Sequence, residues 1–403
     1  MAMKLAVILD WKRPRLRLDE ERGDARKASW LELFYDVFFV VAIGQLAHEL
    51  GTHMSPSGYG MYLVQFVPLF VLWLGFVYYT ERFETDGLDH QLATFVMMFC
   101  VTGMAVFAHH GLTSNYGAYI TFYAAGRILT LALWIRGTLH NRDSFGMAAP
   151  RIIVPPAVGV VLGLLSTLVD GYPRFTLLAL GLMFEIAPPL LLRNPFDGLP
   201  RVSISKTHER LGLFTIIVLG ETVVGIVSGL TALDHPSAAD FFRAGKALVI
   251  GCYFWWVYYE SMPHGEFRQS PRGIVLWAYL HFPIFIAISG ISPAIASALT
   301  SANDSLPFNF RLILAISLST FLISVALIEL LVYNTDDHSK SGLAGTFLKF
   351  LSAIGVFLAA FIPFSADALL LCIAVPLILP VVYRGYSRYR LSERDNKNPS
   401  KIA

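Results

Sequence analysis

An early apolar stretch, 30–50 (WLELFYDVFFVVAIGQLAHEL), carries two carboxylates at helical spacing. Glu32 and Asp36 are four residues apart, so they share one face of a helix, about one turn from each other. Glu32 falls near the edge of the stretch. Asp36 falls deeper, where an ionisable group is costly unless it faces protein, water or a partner. Asp36 is therefore a candidate site for a proton or cation, and the alternative is a structural pair with Arg127 or with the amides of a helix end.

A later stretch, 207–229 (THERLGLFTIIVLGETVVGIVSG), is similar to the first and places an acid deeper. It begins with His208, Glu209 and Arg210 and carries Glu221 near its middle. Arg210 and Glu221 are eleven residues apart, which returns to nearly the same helix face about 16 Å further along. Glu221 is thus a second candidate for binding a proton or cation, again with a structural pair as the alternative.

Three more ionisable residues lie within other apolar segments. Arg127 is permanently charged and requires an anion or a water-lined cavity. Arg127 and Glu185 indicate either one asymmetric substrate site or a clamp that joins helices. His281 is of a residue type that relays protons near neutral pH, but a core histidine bonded to a carbonyl is commoner. The predicted substrate or ion site comprises Asp36, Arg127, Glu185, Glu221 and His281.

Nothing in the sequence indicates a metal or a cofactor. His48, His109 and His110 fall at one predicted depth, and metal binding by them is conceivable, but their spacing matches no ligand motif. The three cysteines each lie inside an apolar run, so they suggest neither a disulfide framework nor a metal cluster. The chain has no P-loop, no dinucleotide-binding glycine pattern and no GxSxG elbow.

The elements that must position these residues are membrane helices. Of the 403 residues, 55% are hydrophobic and 15% are charged, whereas about a quarter of a soluble domain is charged. The mean hydropathy is +0.57. A net charge of +2 gives no indication of a nucleic-acid partner. The expected partners are the lipid bilayer and a small solute, proton or cation, and the sequence does not determine the oligomeric state.

The sequence predicts an all-α polytopic membrane protein with about 12 transmembrane helices. A spanning helix needs about 20 mostly apolar residues. The stretches of that kind are 31–50, 60–80, 91–110, 117–136, 152–170, 174–192, 209–230, 244–260, 274–297, 310–333, 346–363 and 366–384. Loops rich in Lys and Arg alternate with poorer ones, which places both termini in the cytoplasm.

The helices are expected to form two parallel six-helix pseudo-repeats. The segment WLGFVYY at 73–79 aligns with FWWVYY at 254–259, at an offset of about 180 residues. Because each half has an even number of helices, both halves insert the same way up. The predicted domains are a basic leader (1–29), a first half (30–192), a linker (193–208), a second half (209–384) and a basic tail (385–403).

Several motifs together resemble the bacterial low temperature requirement A (LtrA) family. They are WLELFYD at 30–36, ERFETD at 81–86, HERLGLF at 208–214 and LGE at 219–221. The resemblance implies a multi-pass protein of the bacterial inner membrane, linked by its name to growth in the cold, and it implies no agreed substrate. Carried over to this chain, the motif residues are Glu32, Asp36, Arg82, Asp86, His208, Glu209, Arg210 and Glu221.

These features favour a secondary transporter or ion-translocating protein with an acidic site inside the membrane. Two alternatives stay open. A membrane-embedded lipid-modifying enzyme would bring acids and histidines together at the depth of the headgroups. A non-catalytic receptor or scaffold would keep Arg127 and Glu221 as a dry clamp.

Overall fold

The computed structural model describes residues 14, 16, 28–83, 87–191, 204–262, 271–301, 306–333 and 339–397. Within these residues the chain forms thirteen α-helices and one 3₁₀ turn, which confirms the predicted all-α class. The helices are α1 (Trp30–Thr52), α2 (Pro56–Arg82), α3 (Leu88–Val106), α4 (Tyr116–His140), α5 (Arg142–Phe145), α6 (Ala149–Ser166), α7 (Tyr172–Leu191), α8 (Ile204–Thr231), α9 (Ala238–Ser261), α10 (Pro271–Thr300), α11 (Phe308–Tyr333), α12 (Ser339–Ala359) and α13 (Ala366–Lys397).

Ten of the described helices are long and apolar enough to cross a membrane, which confirms a polytopic membrane protein. Each of the twelve predicted stretches coincides with a helix, and the two that fall short of a span are α9 and α12. Lys246, Glu260 and several aromatic side chains lower the hydropathy of α9. In α12 the apolar part is limited to Leu343–Ala359.

Large apolar side chains on the outer helix faces are consistent with a bilayer around the protein. Phe99, on α3, is 67% exposed, and Val161, Val224 and Phe347 are also exposed. Exposed apolar surface of this extent would be unfavourable in water, whereas lipid tails cover it without cost. Because the outer faces are apolar, the polar residues of the spanning helices lie mainly in the protein interior.

Clustering of the contacts divides the chain into two compact units. The first unit comprises Met1–Thr52, Gly60–Ile217 and Ser270–Ala278. In it α1 packs on α3, α3 on α4, α4 on α6, and α6 on α7. Its core is rich in fully buried aromatic side chains, including those of Tyr35 and Trp73. This aromatic core surrounds the ionisable residues of α1.

The second unit comprises His53–Tyr59, Val218–Gln269 and Tyr279–Ala403. In it α12 packs on α11 and α13, and α9 packs on α11 and α13. Gly225 and Gly229 bring α8 against α10, since a Cβ on Gly225 would lie 2.5 Å from the carbonyl oxygen of Ser292. These glycines therefore serve close helix packing.

The two units do not bear on the predicted halves and pseudo-repeat, which stay predictions. Most of the predicted linker, 193–208, lies outside the described residues, as do nearly all of the basic leader and the last residues of the tail. The chain passes from the first unit to the second within α8, between Ile217 and Val218. Arg210 therefore belongs to the first unit and Glu221 to the second.

Candidate functional site

Asp36, on α1, is fully buried and accepts two hydrogen bonds on one oxygen. The indole Nε1 of Trp73 donates to Oδ1 over 2.8 Å, and Nη2 of Arg210 lies 3.2 Å from the same atom. The other oxygen, Oδ2, has no hydrogen-bond partner among the described residues. One half of this carboxylate is therefore fixed and the other half is left without a donor.

Glu32, one turn before Asp36, is the second acid beside the same guanidinium. Its Oε1 lies 3.8 Å from Nη1 of Arg210. Its Oε2 accepts from the backbone N–H of Ser29 over 2.9 Å, and its own N–H donates to Ser29 Oγ. This reciprocal capping box fixes Glu32 at the first turn of α1. Two carboxylates therefore share one arginine.

Arg210, on α8, is held from several sides. Nη1 donates to the hydroxyl of Thr80 on α2 over 2.8 Å. The guanidinium carbon lies 5.6 Å from the ring centroid of Tyr35 and 6.0 Å from that of Trp73, within the range of cation–π attraction. Phe214, one turn further along α8, stacks on Trp73 with the ring centroids 4.4 Å apart. Side chains of α1 and α2 thus surround this cation.

The sequence identified Arg210 as a motif residue but not as the partner of Asp36. Arg127 was the partner expected if Asp36 formed a structural pair, whereas in the structure Arg127 pairs with Glu185. The donors Trp73 and Thr80 were also missed. The sequence offered one signal. Arg210 lies near the start of the stretch 207–229, which is similar to the stretch 30–50 that contains Asp36.

The pair of Arg127 on α4 and Glu185 on α7 forms a second buried cluster in the first unit. Nε of Arg127 lies 2.6 Å from Oε2 of Glu185, and the hydroxyl of Tyr123 donates to Oε1 over 2.7 Å. A Cβ on Gly159 of α6 would lie 2.6 Å from Cγ of Glu185, and a Cβ on Gly75 of α2 would clash with Nη1 of Arg127. Glycines therefore provide the space for both side chains.

Glu221 and His281 lie in the second unit. Glu221 is only 7% exposed, and the described residues of that unit give it no ion-pair or hydrogen-bond partner. His281 is fully buried, and its Nε2 lies 2.9 Å from the hydroxyl of Tyr258. The predicted set of five is thus divided, with Asp36, Arg127 and Glu185 in the first unit. Whether the five form one site stays a prediction.

The other described motif residues, Arg82, His208 and Glu209, belong to the first unit. Arg82 is buried, and its guanidinium carbon lies 5.6 Å from the ring centroid of Trp134. His208 stacks on Trp277 with centroids 5.7 Å apart, and Glu209 is half-buried. Asp86 lies outside the described residues. These contacts account for two of the motif side chains by packing with aromatic rings.

A third buried ion cluster, in the second unit, was not predicted. Glu329 on α11 lies 2.7 Å from both Lys349 Nζ and Arg384 Nη2, and it accepts from the Thr346 hydroxyl over 2.8 Å. The signal was present, because Glu329 and Lys349 are isolated charges within apolar runs. The cluster joins α11, α12 and α13.

One group of side chains has the composition of a metal site. Glu49, His109 and His110 each place a ligand atom within 4.8 Å of the others. The sequence grouped His48 with the two later histidines, but the residue of α1 that meets them is Glu49. His48 and Glu49 are adjacent on α1 and so point in directions about 100° apart.

Comparison with known proteins identifies the family to which the chain belongs. The sequence pattern of the family described as bacterial low temperature requirement A protein (LtrA) matches residues 27–375. An uncharacterized protein of Rhizobium meliloti (strain 1021) is 26% identical over 288 residues, which are 66% of this chain and 68% of the relative. The matched region includes α1, the arginine at the start of α8 and both buried ion clusters of the first unit. The chain belongs to the LtrA family of bacterial membrane proteins.

Proposed function

We propose that this protein is a secondary transporter or ion-translocating protein in which Asp36 takes up and releases a proton or a cation. The observation that carries the proposal is that two carboxylates, Asp36 and Glu32, share the single buried guanidinium of Arg210. The guanidinium lies between the two acids, so uptake of a proton or cation by Asp36 would change the charge that it faces. Spanning helices that bury such a group are typical of ion pathways.

The geometry suggests how uptake of a proton would change the cluster. Protonation of Asp36 would remove the negative charge that Arg210 contacts at 3.2 Å. Glu32, at 3.8 Å, would then be the nearest anion, and the guanidinium would shift toward it. A switch between two partners of one arginine is a discrete two-state element, which alternating access requires.

Glu221 is proposed as the second acid of the pathway. It is buried in a helix of high hydropathy, and within the second unit the described residues offer it no cation. His281 is proposed to relay a proton. Arg127 is proposed to join α4 to α7 through its ion pair with Glu185, which is the alternative that the sequence left open for it. A local unwinding of α10 near Gly290 and Pro293 would provide free carbonyls for the cavity.

We place the protein in the bacterial cytoplasmic membrane with both termini in the cytoplasm. The support is the excess of Lys and Arg in the leader and the tail. A test is to label single cysteines introduced at Ser29 and at Ser387 in whole cells with a reagent that does not cross membranes. Both positions should stay unlabelled until the cells are permeabilised, and labelling of intact cells would contradict this orientation.

Purified protein in liposomes tests the transport proposal. A pH-sensitive dye trapped inside the liposomes would report proton entry driven by a potassium diffusion potential. A second set of liposomes, loaded with sodium, tests for movement of a cation. We expect flux above that of empty vesicles, and we expect Asp36→Asn and Glu221→Gln each to reduce it by roughly tenfold or more. Asp234→Asn removes an exposed acid after α8 and is the matched control, with unchanged flux.

The outcomes separate the parts of the proposal. Wild-type vesicles that show neither proton nor cation flux would refute ion translocation. Flux that survives Asp36→Asn would refute the role of Asp36 while leaving a transport function in place. Equal losses in Asp36→Asn and Asp234→Asn would trace the effect to general damage by the substitution.

A membrane-embedded enzyme acting on lipid is the second candidate, and one observation favours it. Glu49, His109 and His110 meet at helix ends, as acids and histidines would in a site at headgroup depth. The test is release of headgroups from lipid vesicles of defined composition by the purified protein. Headgroup release that is lost in His109→Ala and retained in Asp36→Asn would favour the enzyme over the transporter.

A further inference from the structure

Glu49 and two adjacent histidines converge where α1 ends and the turn between α3 and α4 begins. Nδ1 of His109 is hydrogen-bonded to Oε2 of Glu49, and Nδ1 of His110 lies 3.7 Å from Oε1. One ligand atom of each residue lies within 4.8 Å of the other two. Residues about 60 positions apart in the sequence therefore present two imidazoles and one carboxylate to a common point.

The turn that carries the histidines is fixed in an unusual conformation. His110 has a φ of 55°, in the left-handed region that residues with a side chain rarely adopt. The carbonyl of His110 accepts from the backbone N–H of Thr113 over 2.9 Å, and Nδ2 of Asn115 donates to the carbonyl of His109 over 2.6 Å. The N–H of His110 lies 3.3 Å from Oε1 of Glu49. These bonds fix the positions of the two imidazoles relative to Glu49.

We propose that Glu49, His109 and His110 bind a divalent transition-metal ion of the Zn²⁺ class. Two imidazoles and one carboxylate are a ligand set that zinc uses when its fourth position is taken by water or a substrate. In a tetrahedral site with bonds of about 2.0–2.2 Å, the ligand atoms lie about 3.3 Å apart. The three ligand atoms lie within 4.8 Å of one another, so they would have to move closer together to enclose an ion.

The exposure of the site suits an ion that enters from water. The side chains of His109 and His110 are 60% and 46% exposed, whereas that of Glu49 is 15% exposed. The carboxylate thus forms the inner wall, and the imidazoles leave an outer side on which a water molecule completes the coordination. Ca²⁺ and Mg²⁺ prefer oxygen ligands, so the two nitrogens favour zinc over these ions.

Metal titration of the full-length protein, purified in detergent without a histidine tag and stripped with a chelator, tests the proposal. Competition with a chromophoric chelator should show one Zn²⁺ bound per chain. The visible bands of bound Co²⁺ would report a four-coordinate site. We expect His109→Ala, His110→Ala and Glu49→Gln each to weaken Zn²⁺ binding by roughly 10- to 100-fold.

Two other exposed histidines are the matched controls. His48→Ala alters the neighbour of Glu49 on α1, and His140→Ala alters the last residue of α4. Both variants should bind Zn²⁺ as the wild type does, and Zn²⁺ should raise the Tm of the wild type and of these two variants only. If His110→Ala fails to fold because of its backbone conformation, His109→Ala carries the test alone.

Three results would overturn the proposal. One is a wild type that binds no stoichiometric Zn²⁺ or Co²⁺, which would leave the three residues as an ion pair. Another is an equal loss of affinity in His48→Ala or His140→Ala, which would indicate nonspecific binding by surface histidines. The last is a Glu49→Gln variant with wild-type affinity, since the carboxylate would then not be a ligand.

Discussion

Two of the buried arginines of the first unit, Arg127 and Arg210, have different sets of acidic partners. Arg127 faces one carboxylate, that of Glu185, and a tyrosine hydroxyl occupies the other oxygen of that acid. Arg210 faces two carboxylates, and one oxygen of Asp36 has no donor among the described residues. Both oxygens of Glu185 thus accept a hydrogen bond, whereas only one oxygen of Asp36 does so among the described residues.

This difference distinguishes a structural ion pair, or clamp, from an arginine that can change its partner, or switch. The carboxylate of Glu185 has a donor on each oxygen, and its ion pair with Arg127 joins α4 to α7. An arginine between two acids can favour either, and protonation of one decides which. From this comparison we propose a structural role for Arg127 and a functional role for Arg210, and the following substitutions test the difference.

Removal of the charge of Glu185 should have the largest effect on stability. In Glu185→Gln the guanidinium of Arg127 remains buried without its counter-ion, which typically costs about 3–5 kcal/mol of unfolding free energy. Reversible unfolding in mixed micelles measures the loss. In the double variant Arg127→Met/Glu185→Leu most of the stability should return, because no unpaired charge remains. A double variant as unstable as the single one would contradict the clamp.

A methyl group beside Glu185 should have the next largest effect. In Gly159→Ala the new Cβ would lie 2.6 Å from Cγ of Glu185 and 2.7 Å from the carbonyl oxygen of Gly181, so α6 and α7 must separate. We expect a loss of about 2–3 kcal/mol in the same unfolding assay. Gly163→Ala, on the same helix, is the control, since its nearest atom would be 4.0 Å away. Similar losses in both variants would indicate an effect of helix propensity alone.

Neutralisation of Asp36 should cost less than neutralisation of Glu185. In Asp36→Asn the acid Glu32 still lies 3.8 Å from Arg210 and compensates its charge. We expect a loss of about 1–2 kcal/mol, together with the loss of flux described above. Thermal melting in detergent checks the stability. A loss as large as that of Glu185→Gln would mean that Glu32 does not share the guanidinium.

Removal of the indole donor should have the smallest effect. Trp73→Phe keeps a ring to stack on Phe214 but removes the N–H that bonds Asp36 over 2.8 Å. The expected loss is about 1 kcal/mol, and the flux should change because one donor to Asp36 is gone. Trp255→Phe, at an exposed position of α9, is the control. A flux equal to that of the wild type would show that Trp73 acts only by packing.

Much of the fold was predictable because each membrane helix is specified by the composition of its own segment of the sequence. An apolar run of about 20 residues is sufficient to specify a spanning helix, and every predicted stretch is helical. Of the two helices that fall short of a span, α9 carries charged residues that lower its hydropathy, and the described apolar part of α12, Leu343–Ala359, is too short. The end of α3 was misplaced, since the predicted stretch ran to 110 and the helix ends at Val106.

The members of the candidate site were predictable, but their partners were not. Asp36, Arg127, Glu185 and Arg210 were all recognisable as charges in apolar segments. Their pairing depends on which helices are neighbours, and helix order within a bundle leaves little trace in a single sequence. Glu49 was overlooked because a carboxylate near a helix end is common, and the sequence does not show that His109 and His110 lie beside it.

By itself the sequence determined that this is a polytopic helical protein of the LtrA family, with a few costly charges inside its spans. These properties follow from hydropathy and from motifs, both of which can be read one segment at a time. Only the tertiary structure decided that Arg210 lies between Asp36 and Glu32 while Arg127 binds Glu185. The physical reason is that a buried charge must be compensated, and the packing of helices distant in sequence determines by which group.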